Sequence, residues 1–187
     1  MTRSAIVFCK RVSSMFSTTS MIRAATPADA AAISVIYNPY VLQTTACFED
    51  VAVSAAEMAE RISGVLQQGL PWLVAELGAE VVGYCYATPW KARAGYRFSV
   101  EVTVYLAPYA QGRGLGFALY QQLFAQLKAA GYHAALGGIV QPNPASVALH
   151  EKCGMTQVAL LPEVGFKHGQ WHSIGYWQLL LDEFQPA

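Results

Sequence analysis

The sequence predicts an α+β domain in which one mixed sheet is flanked by helices, and three observations carry that expectation. Helix-capping signals stand at Thr26, Ser54 and Asn143. In "SVEVTVYL" a period of two sets Ser99, Glu101, Thr103 and Tyr105 on one face and valines on the other, as in a half-buried strand. Leu115, Leu119, Leu123 and Leu127 recur every four residues, the apolar stripe of a helix.

Residues 1–20, "MTRSAIVFCKRVSSMFSTTS", hold Arg3, Lys10 and Arg11, no acid and many Ser/Thr. They read as a weak transit peptide or an upstream-start leader, dispensable for a domain that occupies 21–187. Their apolar stretch is short and ends in Lys-Arg, which argues against a secretory signal. In "TPADAAAISVIYNPY", Thr26 is the N-cap, Pro27 takes the first helical position and Asp29 closes a capping box, with Ile33, Ile36 and Tyr37 on one face. A second helix opens at Ser54 and carries Met58, Ile62, Val65 and Leu66 toward Gly69. Two β-rich runs around Leu77-Gly78-Ala79-Glu80 form a hairpin, and "YRFSVEVTVYL" extends the meander. The leucine helix follows and stops at Gly131. "AALGGIV" reads as a buried strand and "NPASVALHEKCG" as a short helix, capped by Asn143, with Pro144 in its first turn and Gly154 at its end. Strands near 155–161 and 171–181 complete the chain; at least two of Trp171, Tyr176 and Trp177 are expected in the core.

Composition narrows the function. A chain of 187 residues, 54% hydrophobic and 13% charged, can bury a sizeable core as one domain. Its zero formal net charge supplies no field for nucleic acid, and no Lys/Arg-rich run supplies a local one. Cys9, Cys47, Cys85 and Cys153 form no CxxC pair and no cluster with His, which argues against a zinc site or a disulfide framework and fits a reduced cytoplasm. No apolar run approaches the roughly 18 residues of a membrane span.

Between the strand and the leucine helix lies Gln111-Gly112-Arg113-Gly114-Leu115-Gly116. A strand that enters a helix through glycines leaves several N–H groups unpaired at the positive end of the helix dipole, a ready site for an anion such as phosphate. Missing Cβ atoms let a diphosphate approach the backbone, and Arg113 adds charge. The loop is neither of two well-known phosphate binders. It lacks the Gly-Lys-Ser/Thr of the Walker loop, and Phe117 or Leu119 stands where the dinucleotide fingerprint needs a small residue. On spacing alone, a simple helix-opening turn and a phosphate cradle both fit.

This hexad resembles the Gln/Arg-x-x-Gly-x-Gly/Ala signature of the GCN5-related N-acetyltransferases (GNAT), and the order of elements from about Ile22 to Leu181 is similar to that superfamily's. "PWKAR", "VEVTVYL", "NPASVALHEKCGM" and "GFKHGQWHSIGYWQL" resemble the branch that acetylates phosphinothricin, methionine sulfone and methionine sulfoximine. The resemblance implies the GNAT fold, with a central, mixed, mostly antiparallel sheet, and acetyl-CoA as co-substrate. It implies that Gln111, Gly112, Arg113, Gly114, Leu115 and Gly116 hold the diphosphate, that Val104, Tyr105 and Leu106 line the pantetheine arm, and that Asn143 contacts the cofactor besides capping its helix. It implies Glu101 as the catalytic base. A carboxylate of ordinary pKa, about 4.3, suits an amine poorly, so Glu101 must act through water or with a pKa raised by burial. The Val104 N–H is the implied donor to the thioester oxygen, at a bulge where the strands splay. His150 stands where many members of the superfamily have a tyrosine, as in the phosphinothricin branch; an unperturbed pKa of about 6.5 suits it to protonating the leaving thiolate or relaying a proton, and a structural role remains open. Tyr120 reads as core.

For the acceptor, "TPWKARAGYRF" is informative. Lys91 and Arg93 can meet a carboxylate, while Trp90 and Tyr96 can wall in a small side chain. The resemblance favours Arg93, Ala94, Gly95, Tyr96 and Glu101 as substrate contacts; Tyr37, Phe48 and Glu49 are separate candidates, not carried by the resemblance, for shaping the far end of the pocket. It implies direct transfer, in a ternary complex, to the α-amino group of a small amino acid, and a homodimer whose contact lies near the C-terminal aromatics. Two other classes fit the same fold: a peptide or protein N-terminal acetyltransferase, and a non-catalytic acyl-CoA-binding module.

Overall fold

The computed structural model describes residues 20–181, so the leader at residues 1–20 lies outside the described residues except for Ser20. Seven strands, β1 (Ser20–Ala24), β2 (Trp72–Leu77), β3 (Glu80–Pro89), β4 (Ser99–Leu106), β5 (Ala134–Gln141), β6 (Thr156–Lys167) and β7 (Gln170–Leu180), form one sheet in the spatial order β1-β2-β3-β4-β5-β7-β6. Every neighbouring pair is antiparallel except β4 with β5, which is the mixed, mostly antiparallel sheet expected from the sequence. The helices are α1 (Ala30–Gln43), α2 (Ala55–Gln67), α3 (Leu115–Ala129) and α4 (Pro144–Lys152). Among the described residues no helix is long and apolar enough to cross a membrane.

The capping chemistry sets the first helices. Thr26 and Asp29 make a reciprocal box around a single 3-10 turn that leads into α1, and the Ser54 hydroxyl accepts from the Glu57 N–H at the start of α2. Strand β1, which the sequence pattern did not reveal, is short and mostly exposed. Arg23 secures it, pairing with Asp29 on one side and Glu76 of β2 on the other, each at 2.7 Å; the hydrogen bond from Arg23 holds the Asp29 carboxyl down at about 2.

Helices lie on both faces of the sheet. Side chains directly opposite on paired strands share a face, and the Tyr105 ring stands 5.1 Å from Tyr37 and 4.9 Å from Tyr40, which puts α1 on the Glu101–Tyr105 face. On the other face Cys85, opposite Val104, reaches the Leu119 carbonyl of α3. The four leucines of that helix are all buried there, beside Val100 and Val102.

The site is set by where β4 and β5 separate. They pair only over Ser99–Glu101 against Ala134–Leu136; β4 then stays with β3 to Leu106 while β5 follows β7 to Gln141. The splay expected near Val104 is present, but β4 keeps an unbroken register with β3, so no bulge in that pairing produces it.

Two expectations are corrected at the C-terminal end. Strand β6 runs to Lys167, beyond the expected 161, because two register irregularities let it bend and continue along β7. Only Trp177 of the three aromatics is core: Tyr176 is half-buried and Trp171 is 61% exposed. β6 is the sheet's edge strand and is exposed along most of its length, as is the start of β7, so an aromatic there is not buried by its type alone.

Candidate active site

The first half of the site is built from backbone. After Leu106 the chain makes one 3-10 turn over Pro108–Ala110 and enters the glycine hexad. Gly112 and Gly114 have φ of +72° and +79°, and a Cβ on either would meet nothing within 4 Å. The left-handed backbone therefore demands glycine here, at a cost of roughly 1–2 kcal/mol for another residue. Gly114 is the N-cap of α3 and no side chain caps it, so the amides of the first turn are left without an intrahelical partner. Gly116 has a different reason to be glycine: its Cβ would sit 3.0 Å from Leu149, and the residue lets α4 approach α3.

A cavity of about 440 Å³ opens from this loop into the gap between β4 and β5. Val104, Tyr105 and Leu106 form one side, while Asn143 and Ser146, at the start of α4, stand among its lining. Asn143 also caps α4, its Oδ1 accepting from the Ser146 N–H at 3.1 Å. The Gln111 amide donates to the Tyr40 hydroxyl at 2.9 Å, and that hydroxyl donates to the Leu106 carbonyl at 2.5 Å. The signature glutamine thus braces the loop against α1. Arg113 is exposed and lies outside the cavity lining.

His150 is 4% exposed, and its ring borders the same cavity. Nδ1 lies 2.8 Å from the Ser146 carbonyl, which can only accept, so Nδ1 carries the proton. Nε2 is then the acceptor and faces the Tyr120 hydroxyl at 3.2 Å. Burial pushes the His150 pKa down, against the opposing Ser146 contact, so the ring stays neutral near pH 7. Tyr120 is core, as expected, and its hydroxyl is also the hydrogen-bond partner of His150 beside the cavity.

The second half is built from side chains. A cavity of about 420 Å³ on the Tyr105 face is bordered by Tyr37, Cys47, Phe48, Glu49, Glu101 and Tyr176, among others. Ala46, Tyr105, Gly138 and Val140 border both cavities, so the two share a wall. Glu101 stands in the second cavity, close to that wall: a Cβ on Gly138 would lie 3.3 Å from its Oε1. Burial raises the Glu101 pKa, with Lys91 pulling the other way. Glu49 is held below its ordinary range, first by Arg61, which grips it with two hydrogen bonds of 2.7 and 3.1 Å. Tyr37 donates to the same carboxylate at 2.9 Å and accepts from the Cys47 thiol at 2.8 Å. Among the described residues no Lys or Arg borders this cavity.

Arg93, Ala94, Gly95 and Tyr96 form an exposed turn and border neither cavity. Lys91 lies over the Trp90 ring at 4.8 Å, and Trp90 packs edge-on against Tyr176 at 5.2 Å, so the start of this loop touches the cavity wall. Cys47, Ile174 and Tyr176 escaped the sequence reading as cavity residues, as did Gly138. One signal for the last was available. Two adjacent glycines inside "AALGGIV" mark close approach in a strand. A Cβ on Gly137 would meet His150 Nε2 at 2.6 Å, and one on Gly138 would meet Tyr176 at 3.2 Å.

Known proteins similar to this chain are acetyltransferases. Residues 37–155 match the acetyltransferase (GNAT) family. The chain is 42% identical over 157 residues to a phosphinothricin N-acetyltransferase of Streptomyces viridochromogenes, covering 84% of this chain and 85% of that one. It is 39% identical over 162 residues to the L-methionine sulfoximine/L-methionine sulfone acetyltransferase of Salmonella typhimurium, covering 87% and 95%. Among solved structures, a GNAT-superfamily phosphinothricin acetyltransferase from Sinorhizobium meliloti in complex with acetyl-CoA superposes with a TM-score of 0.86 at 37% identity, over 90% of this chain and 94% of that one.

Proposed function

This chain belongs to the GNAT family of acetyltransferases, and on that premise we propose that it is an acetyl-CoA-dependent N-acetyltransferase acting on the α-amino group of a small amino acid of the phosphinothricin, methionine sulfone or methionine sulfoximine kind. One observation carries the reading: a backbone-built cavity at a helix N-terminus shares a wall with a second cavity, and Glu101 stands in the second close to that wall.

The residues of the first cavity fit the co-substrate. Gly112 and Gly114 leave open amides at the start of α3 for its diphosphate, and the exposed edge of Val104–Leu106 suits its amide-bearing arm. Bound there, acetyl-CoA supplies an acyl group already activated as a thioester. In this reading the Val104 N–H orients the acyl oxygen. Glu101 receives the proton of the acceptor's ammonium, directly or through water; a pKa raised by burial makes it a stronger base than an exposed carboxylate. A neutral His150 is not a stored acid. Its Nε2 holds the one Tyr120 O–H proton, so the departing thiolate takes the proton that the amine nitrogen sheds as the amide forms. The acceptor's α-carboxylate finds no cation in the second cavity, and Lys91 with Arg93 on the adjoining loop are the charges able to meet it.

We assign the homodimer contact to the β6–β7 edge, where Val158, Leu160, Val164, Phe166 and Trp171 are all half or more exposed. Only monomer at micromolar concentration in sedimentation equilibrium removes that assignment. The activity is tested by thiol release from acetyl-CoA with purified protein and a panel of phosphinothricin, methionine sulfone, methionine sulfoximine, ordinary amino acids, polyamines and an N-terminal peptide. Turnover is expected with the first three, and the absence of turnover with any small amino acid overturns the proposal.

A further inference from the structure

The acceptor cavity owes one wall to a segment without regular structure. Between the end of α1 at Gln43 and the start of α2 at Ala55 the chain makes no helix or strand, yet Ala46, Cys47, Phe48 and Glu49 border the cavity. Backbone of this kind leaves carbonyls without partners, and a buried carbonyl left unpaired costs about 1–3 kcal/mol.

Lys167, the last residue of β6, satisfies three of them. The side chain is 2% exposed, and its ammonium donates to the carbonyls of Val41 at 2.7 Å, Cys47 at 2.6 Å and Glu49 at 2.9 Å. An ammonium has three N–H bonds, so this set uses all of its donors. Val41 lies in the last turn of α1, where helix carbonyls lack partners and the dipole favours a cation. The other two carbonyls belong to the cavity wall itself. Two further contacts come from the same hairpin. The Phe48 ring lies over Gly165, where a Cβ would fall 2.2 Å from its Cζ, and His172 packs 6.2 Å from the same ring. His172 Nε2 stands 3.2 Å from the Lys167 carbonyl, binding the hairpin to itself.

We propose that Lys167 is a positioning residue for the acceptor: by gathering the carbonyls of Val41, Cys47 and Glu49 it holds the 46–49 wall at the width that receives the amino acid. The ammonium borders neither cavity and so acts through the wall alone. This rests on the reading of that cavity as the acceptor site. The cofactor cavity draws no wall from residues 47–49, and its glycine loop is braced by Tyr40, so removing the ammonium affects the two substrates unequally.

The test is Lys167→Met, which keeps an unbranched side chain one atom shorter and removes its donors, assayed with methionine sulfone and acetyl-CoA. The KM for methionine sulfone should rise about tenfold or more, with kcat and the KM for acetyl-CoA within about twofold of wild type. An unchanged acceptor KM, or an equal rise in both KM values, overturns the inference while wild-type turnover still supports the function. A wild type inactive on every small amino acid removes the function, and this inference with it. Should the variant not fold, hydrogen exchange on the wild type decides. Adding methionine sulfone to the CoA-saturated protein should slow exchange across 44–50 and 165–172 together, and slowing confined to 44–50 overturns the proposal.

Discussion

The two cavities are made in different ways. The cofactor side is centred on one contiguous stretch of chain, a strand end, a turn, two left-handed glycines and a helix start, which β5 and α4 close from the far side, and the chemistry of that stretch is that of main-chain amides. The acceptor side is assembled from five separated places, Tyr37, the 46–49 wall, Glu101, Gly138 and the Ile174–Tyr176 strand, and its chemistry is that of side chains fixed by one another. A site made of backbone tolerates side-chain change but not a change of φ. A site made of side chains behaves the opposite way, and this is the physical basis for one family keeping its cofactor while its acceptors differ.

The comparison can be broken at several points. The largest effect is expected at Glu101, which belongs to the acceptor side and to chemistry. Glu101→Gln should lower kcat roughly a hundredfold or more while leaving the CoA dissociation constant by calorimetry within about twofold. Unchanged turnover removes Glu101 as the base. Next comes the backbone side: with Gly112→Ala and Gly114→Ala combined, strain of about 1–2 kcal/mol at each position should weaken acetyl-CoA binding about tenfold or more. The acceptor KM, measured at saturating acetyl-CoA, should stay within about twofold; a rise there would mean the halves are not separable. The smallest effect is electrostatic. Lys91 opposes the rise in the Glu101 pKa, so Lys91→Met lets it rise further. Activity is lost as pH falls and Glu101 takes up its proton, so the acidic limb of the kcat/KM profile should move to higher pH. A limb that stays in place shows that Lys91 does not act on Glu101.

The same contrast explains what the sequence revealed. Period, capping and leucine spacing placed α1 to α4 and β4 because each depends on neighbours within a few residues. The glycine hexad was legible for the same reason, and so was Glu101, which alternation puts on the cavity face of β4. Strand β1 has too few buried residues for a pattern and is held by Arg23, whose partner Glu76 is 53 positions away. Lys167 gave no signal at all: a lysine reads as surface, and its partners at Val41 and Cys47 lie 126 and 120 positions distant. The aromatic strand at the C-terminus misled because a large aromatic is buried only where something covers the face it takes, and that depends on distant residues.

Gly138 has a consequence for inhibition. It borders both chambers, and its missing Cβ keeps clear the space beside Tyr176 and Glu101, 3.2 and 3.3 Å from where that atom would sit. A coenzyme A thioether whose sulfur bears a short amino-acid tail could thread that space, and Gly138→Ala would bar such a conjugate while still admitting coenzyme A by itself.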